Sequence, residues 1–467
     1  MSYSAAKLDI KSLGSHHKSN YLPVNEELIS EFFRKTLNCT WTADVEGKMK
    51  MSRDNTDLIY TSDKKLHTLN SSYFVYTSPN IKVRPQYLDN IRICFGKNPG
   101  LNLMKHAEFH ENKMLINTLE DTWVNMYHHY FRENKPGGKR ELMRNIGNVP
   151  ELQAWGKELK AYDFIVEQPW FYSFNHGMKC EAFKMFLSSD NAEIEHIYTF
   201  HNSILDLVKI EHRDGDEWKP VTLKNPRKYL DISKNTSIEP ELWGRYTLMV
   251  DNERKKYMDQ NSHTFHIRDI VSLEAKRPSG YGTVQEVELL SKDECIAMFW
   301  GLENQSAKLN KDYSVFTDNL RNPIQDTSLT YRDGVRFNKM SSCHFSKQSH
   351  KFPSAPFDDG YHARSNATNP TNLDQDVGIV YTPELGATLR CSIEAERKIL
   401  PYDDYDEGDG DDNDIIPVVE LEDNDELEDE HFEVKKTKFL TKVVLLVVKK
   451  LTATKDASGK FKFSLDP

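Results

Sequence analysis

The stretch from Ile91 to Ile116 constrains the fold of this chain more than any other. Ile91, Ile93 and Phe95 alternate with Arg92 and Cys94, which is the two-residue period of a half-buried strand. Asn98-Pro99-Gly100 then supplies a chain reversal, because proline fixes φ while asparagine and glycine tolerate tight backbone angles. Pairing is expected to resume at Leu101 and to run on to Met114-Leu115-Ile116. The stretch reads as two or three short strands joined by tight turns, with no residue spaced for catalysis. The same arrangement recurs along most of the chain and predicts an all-β protein built for packing and assembly.

A chain of 467 residues exceeds one ordinary core, since single cores stop growing at roughly 250 to 300 residues. Two domains are therefore expected. The 23 phenylalanines and 21 tyrosines suit strands, and a 38% apolar fraction suits a loop-rich protein. Cys39, Cys94, Cys180, Cys295, Cys343 and Cys391 are scattered without a CxxC pair and read as reduced thiols. Met1 to Asn20 is polar and lacks the apolar centre of a signal peptide, so the sequons at Asn38, Asn70, Asn235, Asn304 and Asn366 read as chance. No apolar run approaches the roughly 20 residues that span a bilayer.

The net charge of −11 is a local property. Of 72 acidic residues, 16 lie between Asp403 and Glu430, where no basic residue occurs, and the remaining 56 face 61 lysines and arginines. The body of the chain is mildly basic.

Residues 1–20 read as a flexible arm, followed by strand signals at Phe32-Phe33-Arg34-Lys35-Thr36-Leu37 and Lys48-Met49-Lys50-Met51-Ser52. From Glu120 to Phe131 a short helix is expected, with Trp123, Met126, Tyr127 and Tyr130 at i, i+3, i+4 and i+7. Strands are predicted at Phe164-Ile165-Val166, Phe183 to Leu187 and Glu195 to Ile204. The Gly- and Pro-punctuated stretch 211–240 reads as an inter-domain connection. A second β half follows from Tyr246, with a helix over Asn252 to Gln260 and a cleanly alternating strand over Leu389 to Glu396. Val443 to Val448 is an unbroken apolar run that suggests a strand covered on both faces, and Phe461 to Leu465 a closing strand. The acidic run is expected to be a loop between paired strands.

No G-x-S-x-G, H-E-x-x-H or phosphate-loop pattern occurs, and Gly280-Tyr281-Gly282 lacks a third glycine. His263 with His266, and Glu195 with His196 and His201, are spaced so that strand geometry sends them to opposite faces, which disfavours a shared metal. Asp409, Asp411, Asn413 and Glu420 match loop positions of a calcium site, but Asp414 replaces the required glycine and Pro417 intrudes, so a solvated loop is expected. There is no run of lysine and arginine interleaved with aromatics, so direct nucleic-acid contact is not expected. The Trp123 stripe could bind a partner, but packing on its own domain is the expectation. No catalytic, cofactor-binding or metal residue is assigned.

Taken in order, these pieces resemble the double jelly-roll major capsid proteins of nucleocytoplasmic large DNA viruses. Phe32-Phe33-Arg34-Lys35 and Ser52-Arg53-Asp54-Asn55-Thr56-Asp57-Leu58-Ile59 are similar to that family's early strand and turn. Ile91 to Ile116 stands where the family has its strand, Asn-Pro-Gly turn and strand. Gly137-Gly138-Lys139-Arg140, Ile146-Gly147-Asn148, Gln168 to Ser173 and Asp251 to Lys256 resemble later landmarks. Met178 to Phe183 and the long acidic loop depart from the pattern.

The resemblance implies two consecutive eight-stranded antiparallel jelly rolls with short helices in loops. The expected division is an arm at 1–20, a first roll at 21–210, a connection at 211–240, and a second roll at 241–467 carrying the acidic loop 403–430. It implies a non-enzymatic virion protein whose homotrimers form pseudo-hexagonal capsomers of an icosahedral shell, assembled in the host cytoplasm. Neighbouring capsomers, minor capsid proteins and an internal membrane at the base would be its partners. A minor capsid or scaffold paralogue, or a glycan-binding jelly-roll protein, are the alternatives.

Overall fold

The computed structural model describes residues 43–131, 138–173, 182–189, 192–223, 225–233, 235–313, 315–318, 321–346, 352, 360–368, 370, 378–395, 419–421 and 437–466. The arm at 1–20, the strand expected at Phe32, Cys39, Cys180 and most of the acidic run lie outside them.

Eight strands build the first half: β1 Ala43–Lys48, β2 Asp57–Thr61, β3 Thr68–Thr77, β4 Met104–Glu111, β5 Met114–Glu120, β6 Asp163–Gln168, β7 Ile194–Phe200 and β8 Glu241–Leu248. They form two antiparallel sheets in the orders β1-β8-β3-β6 and β2-β7-β4-β5. A further eight follow: β9 Ser262–Glu274, β10 Val284–Glu288, β11 Glu294–Asn304, β12 Ile324–Tyr331, β13 Gly334–Ser341, β14 His362–Ser365, β15 Thr388–Ile393 and β16 Phe439–Lys455. Their sheets run β9-β16-β11-β14 and β10-β15-β12-β13, again antiparallel. Each strand of the second half occupies the place of the strand eight earlier in the first. Each half is a jelly roll.

Strand periodicity explains the faces. In β7, Ile194, His196, Tyr198 and Phe200 point inward and are buried, while Glu195, Ile197 and Thr199 are half-exposed. The β9-β16-β11-β14 sheet departs from this alternation because it is covered twice. Val443, Leu445 and Val447 belong to the core of the second roll, whereas Val444 and Leu446 belong to the larger cluster that includes the first roll. A bulge between Cys295 and Ala297 shifts the parity of β11, so that Cys295, Met298 and Trp300 face one core and Ile296, Ala297 and Phe299 the other. The apolar run at Val443 to Val448 is thus a strand with both faces covered, as its composition suggests.

Several expectations are corrected. Asn98, with φ of 50°, does turn the chain, but the strand Ile91–Phe95 pairs with Val208–Asp214 while β4 pairs with β7 and β5, so the turn joins two sheets. Leu101–Leu103 is a 3-10 turn and pairing resumes at Met104. Phe183-Lys184 is a short strand followed by the 3-10 turn Met185–Leu187, and β7 stops at Phe200. The stretch 211–240 carries the strands Glu217–Leu223 and Leu230–Ile232, and β8, from Glu241, completes the first sheet. The acidic run links β15 to β16, which lie in different sheets. The helices fall close to expectation, as α1 Asp121–Phe131 and α2 Asp251–Met258.

Candidate assembly surface

Consecutive strands cross a roll in opposite directions, so connections after odd-numbered strands gather at one end. Here that end carries the described parts of the insertions 78–103, 121–162 and 201–240 of the first roll, and of 305–323, 342–361 and 394–438 of the second. The opposite end includes the two-residue turns 112–113 and 332–333 beside the longer connections 169–193 and 366–387. The insertions knit to one another. Ile81–Val83 pairs with Leu230–Ile232 and Glu158–Leu159, and Val208–Asp214 sits between Ile91–Phe95 and Glu217–Leu223. Val419–Leu421, from the acidic run, pairs in parallel with Val221–Leu223.

A stack of alternating cations and indoles fastens this end. Lys157 lies over Trp218 at 5.0 Å, Arg92 lies 4.5 Å from Trp218 and 4.9 Å from Trp155, and Lys209 lies 5.6 Å from Trp155. Each such contact is worth about 0.5 to 2 kcal/mol, depending on desolvation. Arg92 also donates to Glu211 through Nε at 2.6 Å, and Lys157 Nζ donates to the Ile91 carbonyl at 2.7 Å. Burial, reinforced by Arg92 and Arg213, lowers the Lys157 pKa. The linear sequence holds no interleaved basic and aromatic cluster, because the members of this one come from three separate insertions and only folding brings them together.

The second roll grips the same end through Asp312. Its Oδ1 accepts from the Lys97 amide and its Oδ2 from Lys209 Nζ, both at 2.8 Å. Burial opposes the charge on Lys209, yet the adjacent Asp312 carboxylate outweighs it and raises the pKa. A Cβ on Gly96 would lie 2.6 Å from Asp312 Oδ1 and 2.8 Å from the Lys311 carbonyl, so glycine is what permits this approach. Burial pushes the neighbouring Cys94 thiol up to about 12 and keeps it protonated.

Between the rolls, α1 is the central wedge. Thr122 to Phe131 are all buried, and Trp123, Tyr130 and Phe131 pack on Phe299 of β11 at centroid distances of 5.6, 5.2 and 5.8 Å. The Trp123 stripe packs against both rolls, which its periodicity could not specify. Beside it, Asp269 of β9 accepts from Asn117 Nδ2 and the Thr118 amide of β5, and from Lys449 Nζ of β16. The cavity there is lined by Trp123, Tyr127, Trp170, Phe171 and Arg268.

No protein-family model matches the chain, and no curated protein matches it by sequence. Solved structures do. A chain of the PBCV-1 virus capsid is 12% identical with a TM-score of 0.61, the match covering 92% of this chain and 98% of that one. The Faustovirus major capsid protein is 7% identical with a TM-score of 0.59, covering 88% and 90%. A chain of the Sputnik virophage is 8% identical with a TM-score of 0.51, covering 97% and 92%. The fold is a double jelly roll.

Within this double jelly roll the histidines weighed for metal binding stand apart. His196 is fully buried and hydrogen-bonded to the Tyr172 hydroxyl at 2.6 Å, and burial pulls its pKa down to about 3. Glu195 faces the other side of β7, and the His201 ring lies tilted against Tyr313 at 4.9 Å. His263 bonds the Tyr257 carbonyl at 2.8 Å, three residues from His266 on the opposite face. Among the described residues no group of three or more His, Cys, Asp or Glu could hold a metal ion. Asp409, Asp411 and Asn413 lie outside the described residues, and Glu420 falls in the strand Val419–Leu421. No helix among the described residues is long and apolar enough to cross a membrane.

Proposed function

We propose that this chain is the major capsid protein of a large DNA virus, three copies of which form a pseudo-hexagonal capsomer of an icosahedral shell. The observation that carries this reading is the repetition of one strand order in two rolls of a single chain. Two similar wedges per chain let three chains present six, and function then rests on burial and shape with no chemical step. Permanent interfaces of this kind commonly bury more than about 2,000 Å². The solved double jelly rolls it resembles include a major capsid protein and a chain of a virus capsid, which supports the reading.

The end that carries the insertions 78–103, 121–162 and 201–240 would face outward, with the acidic run among them, and the opposite end would meet minor capsid proteins or an internal membrane. Assembly would take place in the host cytoplasm, and the arm at 1–20 would reach the base. A minor capsid or scaffold paralogue would share this fold and differ in abundance within purified particles. The glycan-binding reading loses support from the aromatic cluster, since Trp155 and Trp218 are each stacked with cations instead of lining an open groove. Sizing by light scattering tests the proposal. A mass of three chains is expected, and a monomer that persists at high concentration overturns it.

A further inference from the structure

We infer that Lys449 and Asn117 become joined by an amide bond between their side chains, a covalent tie from one roll to the other that the chain forms on itself. Asp269 is the proton carrier. The bond lies within one chain and does not depend on how many chains assemble.

Three strands bring the groups together, with Asn117 on β5, Asp269 on β9 and Lys449 on β16. One carboxylate holds both reactants. Lys449 Nζ donates to Asp269 Oδ2 at 2.6 Å, and Asn117 Nδ2 donates to Asp269 Oδ1 at 2.8 Å. Amine and carboxamide are thereby kept side by side, which replaces a chance encounter with a fixed one.

The electrophile is set as well. Asn117 Oδ1 accepts from the Phe171 amide at 3.2 Å, and Nδ2 also donates to the Arg268 carbonyl at 3.0 Å. The first bond draws electron density from Cγ and is aimed at the oxygen that gains negative charge when Cγ is attacked. The second, with the bond to Asp269, fixes the plane of the carboxamide.

Burial makes a poor acylating group usable. Asn117 is 2% exposed and Asp269 5%, and both border a cavity lined by Trp123, Trp170, Phe171 and Leu446. Away from water an ion pair loses its advantage over the uncharged amine and acid, so a proton can pass along the bond from Lys449 to Asp269. The other carboxylate that interacts with Lys449 is Asp293, whose pKa is raised by burial, so it competes weakly for the ammonium.

The step balances without an added reagent. Nζ gives a proton to Asp269 Oδ2 and attacks Asn117 Cγ. The Nζ–Cγ bond forms, the Cγ–Nδ2 bond breaks, and Nδ2 takes the proton from Asp269 as it departs. Of the three hydrogens on the ammonium, one stays on the new amide and one leaves in ammonia by way of Asp269. The third follows it, giving ammonium and restoring the carboxylate. The bond closes a loop that contains most of the second roll, which removes freedom from the unfolded chain.

Intact-mass spectrometry of the denatured full chain, after the folded protein has stood at neutral pH, tests this. The wild type is expected to be lighter than its sequence by one ammonia, about 17 Da. Trypsin is expected to release residues 114–132 joined to residues 443–450, with no cut after Lys449. Lys449→Arg keeps the charge but removes the nucleophile, and Asp269→Asn keeps the shape but removes the proton carrier; both are expected at the full sequence mass. A wild type at full mass overturns the inference, as does an ammonia loss that maps to other residues or persists in Lys449→Arg. A joined pair in Asp269→Asn overturns the role of Asp269. Should a variant fail to fold, the wild-type peptide map decides by itself.

Discussion

Asn117, in the last strand of one sheet of the first roll, donates from Nδ2 to Oδ1 of Asp269, in the first strand of the second roll, at 2.8 Å. The Asp269 side chain is 5% exposed, and its other oxygen accepts from Lys449 Nζ at 2.6 Å. A buried carboxylate is tolerable only when its oxygens are occupied, so this group holds two rolls in one register. Asp269→Ala removes the acceptor of the Thr118 amide and of one Asn117 Nδ2 hydrogen and takes the carboxylate away from Lys449. Because Lys449 remains partly exposed, the cost is expected at the lower end for a broken buried pair, about 3 kcal/mol, read from the urea midpoint. A loss under about 1 kcal/mol would show that the carboxylate does not join the rolls.

Phe299 is the shared contact of Trp123, Tyr130, Phe131 and Phe352 and is fully buried. Phe299→Ala is expected to cost about 3 to 5 kcal/mol, the usual range for an aromatic removed from a core. Since α1 lies between the rolls, differential scanning calorimetry should show the single transition splitting as the halves uncouple.

Gly96→Ala tests the grip of Asp312. The new methyl meets a carboxylate and a backbone carbonyl that the turn at Lys311 holds at positive φ. The loop is expected to withdraw, breaking the bonds from Lys97 and Lys209. Amide exchange over residues 305–313 should rise by at least tenfold while exchange in β16 stays unchanged.

Arg92→Lys keeps the charge but replaces a plane that stacks between two indoles with a point ammonium. A loss of about 1 to 2 kcal/mol is expected, with a red shift in the emission of Trp155 and Trp218. Unchanged emission would mean that the stack does not form in solution.

Burial lowers the His196 pKa from 6.5 to about 3, so the unfolded chain takes up a proton across that window while the folded chain does not. This contribution to stability is intact above about pH 6.5 and is lost as pH falls towards 3, with a slope of about 1.4 kcal/mol per pH unit. Urea titrations over that window should show a shallower decline in His196→Phe than in the wild type. Equal slopes would mean that His196 is not the buried base described here.

Much of the fold was legible. The alternation in β6, β7 and β15 appears in the sequence because each of those strands has one face in a core and one in water. The helix at Trp123 was legible for the same reason, as its period of 3.6 is a local property. The partners of Ile91–Phe95, the cation stack and the Asp312 grip were not, because they join segments more than fifty residues apart with no local pattern tying them.

Val443 to Val448 divides what each level decides. Consecutive apolar residues state that both faces of a strand leave water, since neither face could otherwise be solvated without cost. Composition carries that much by itself. It cannot say that Val444 and Leu446 pack towards the first roll while Val443 and Leu445 face the core of the second. That assignment depends on α1 and β5 arriving from far away in the chain. The sequence determined two rolls of strands with their faces buried; the tertiary structure decided that one sheet would serve both.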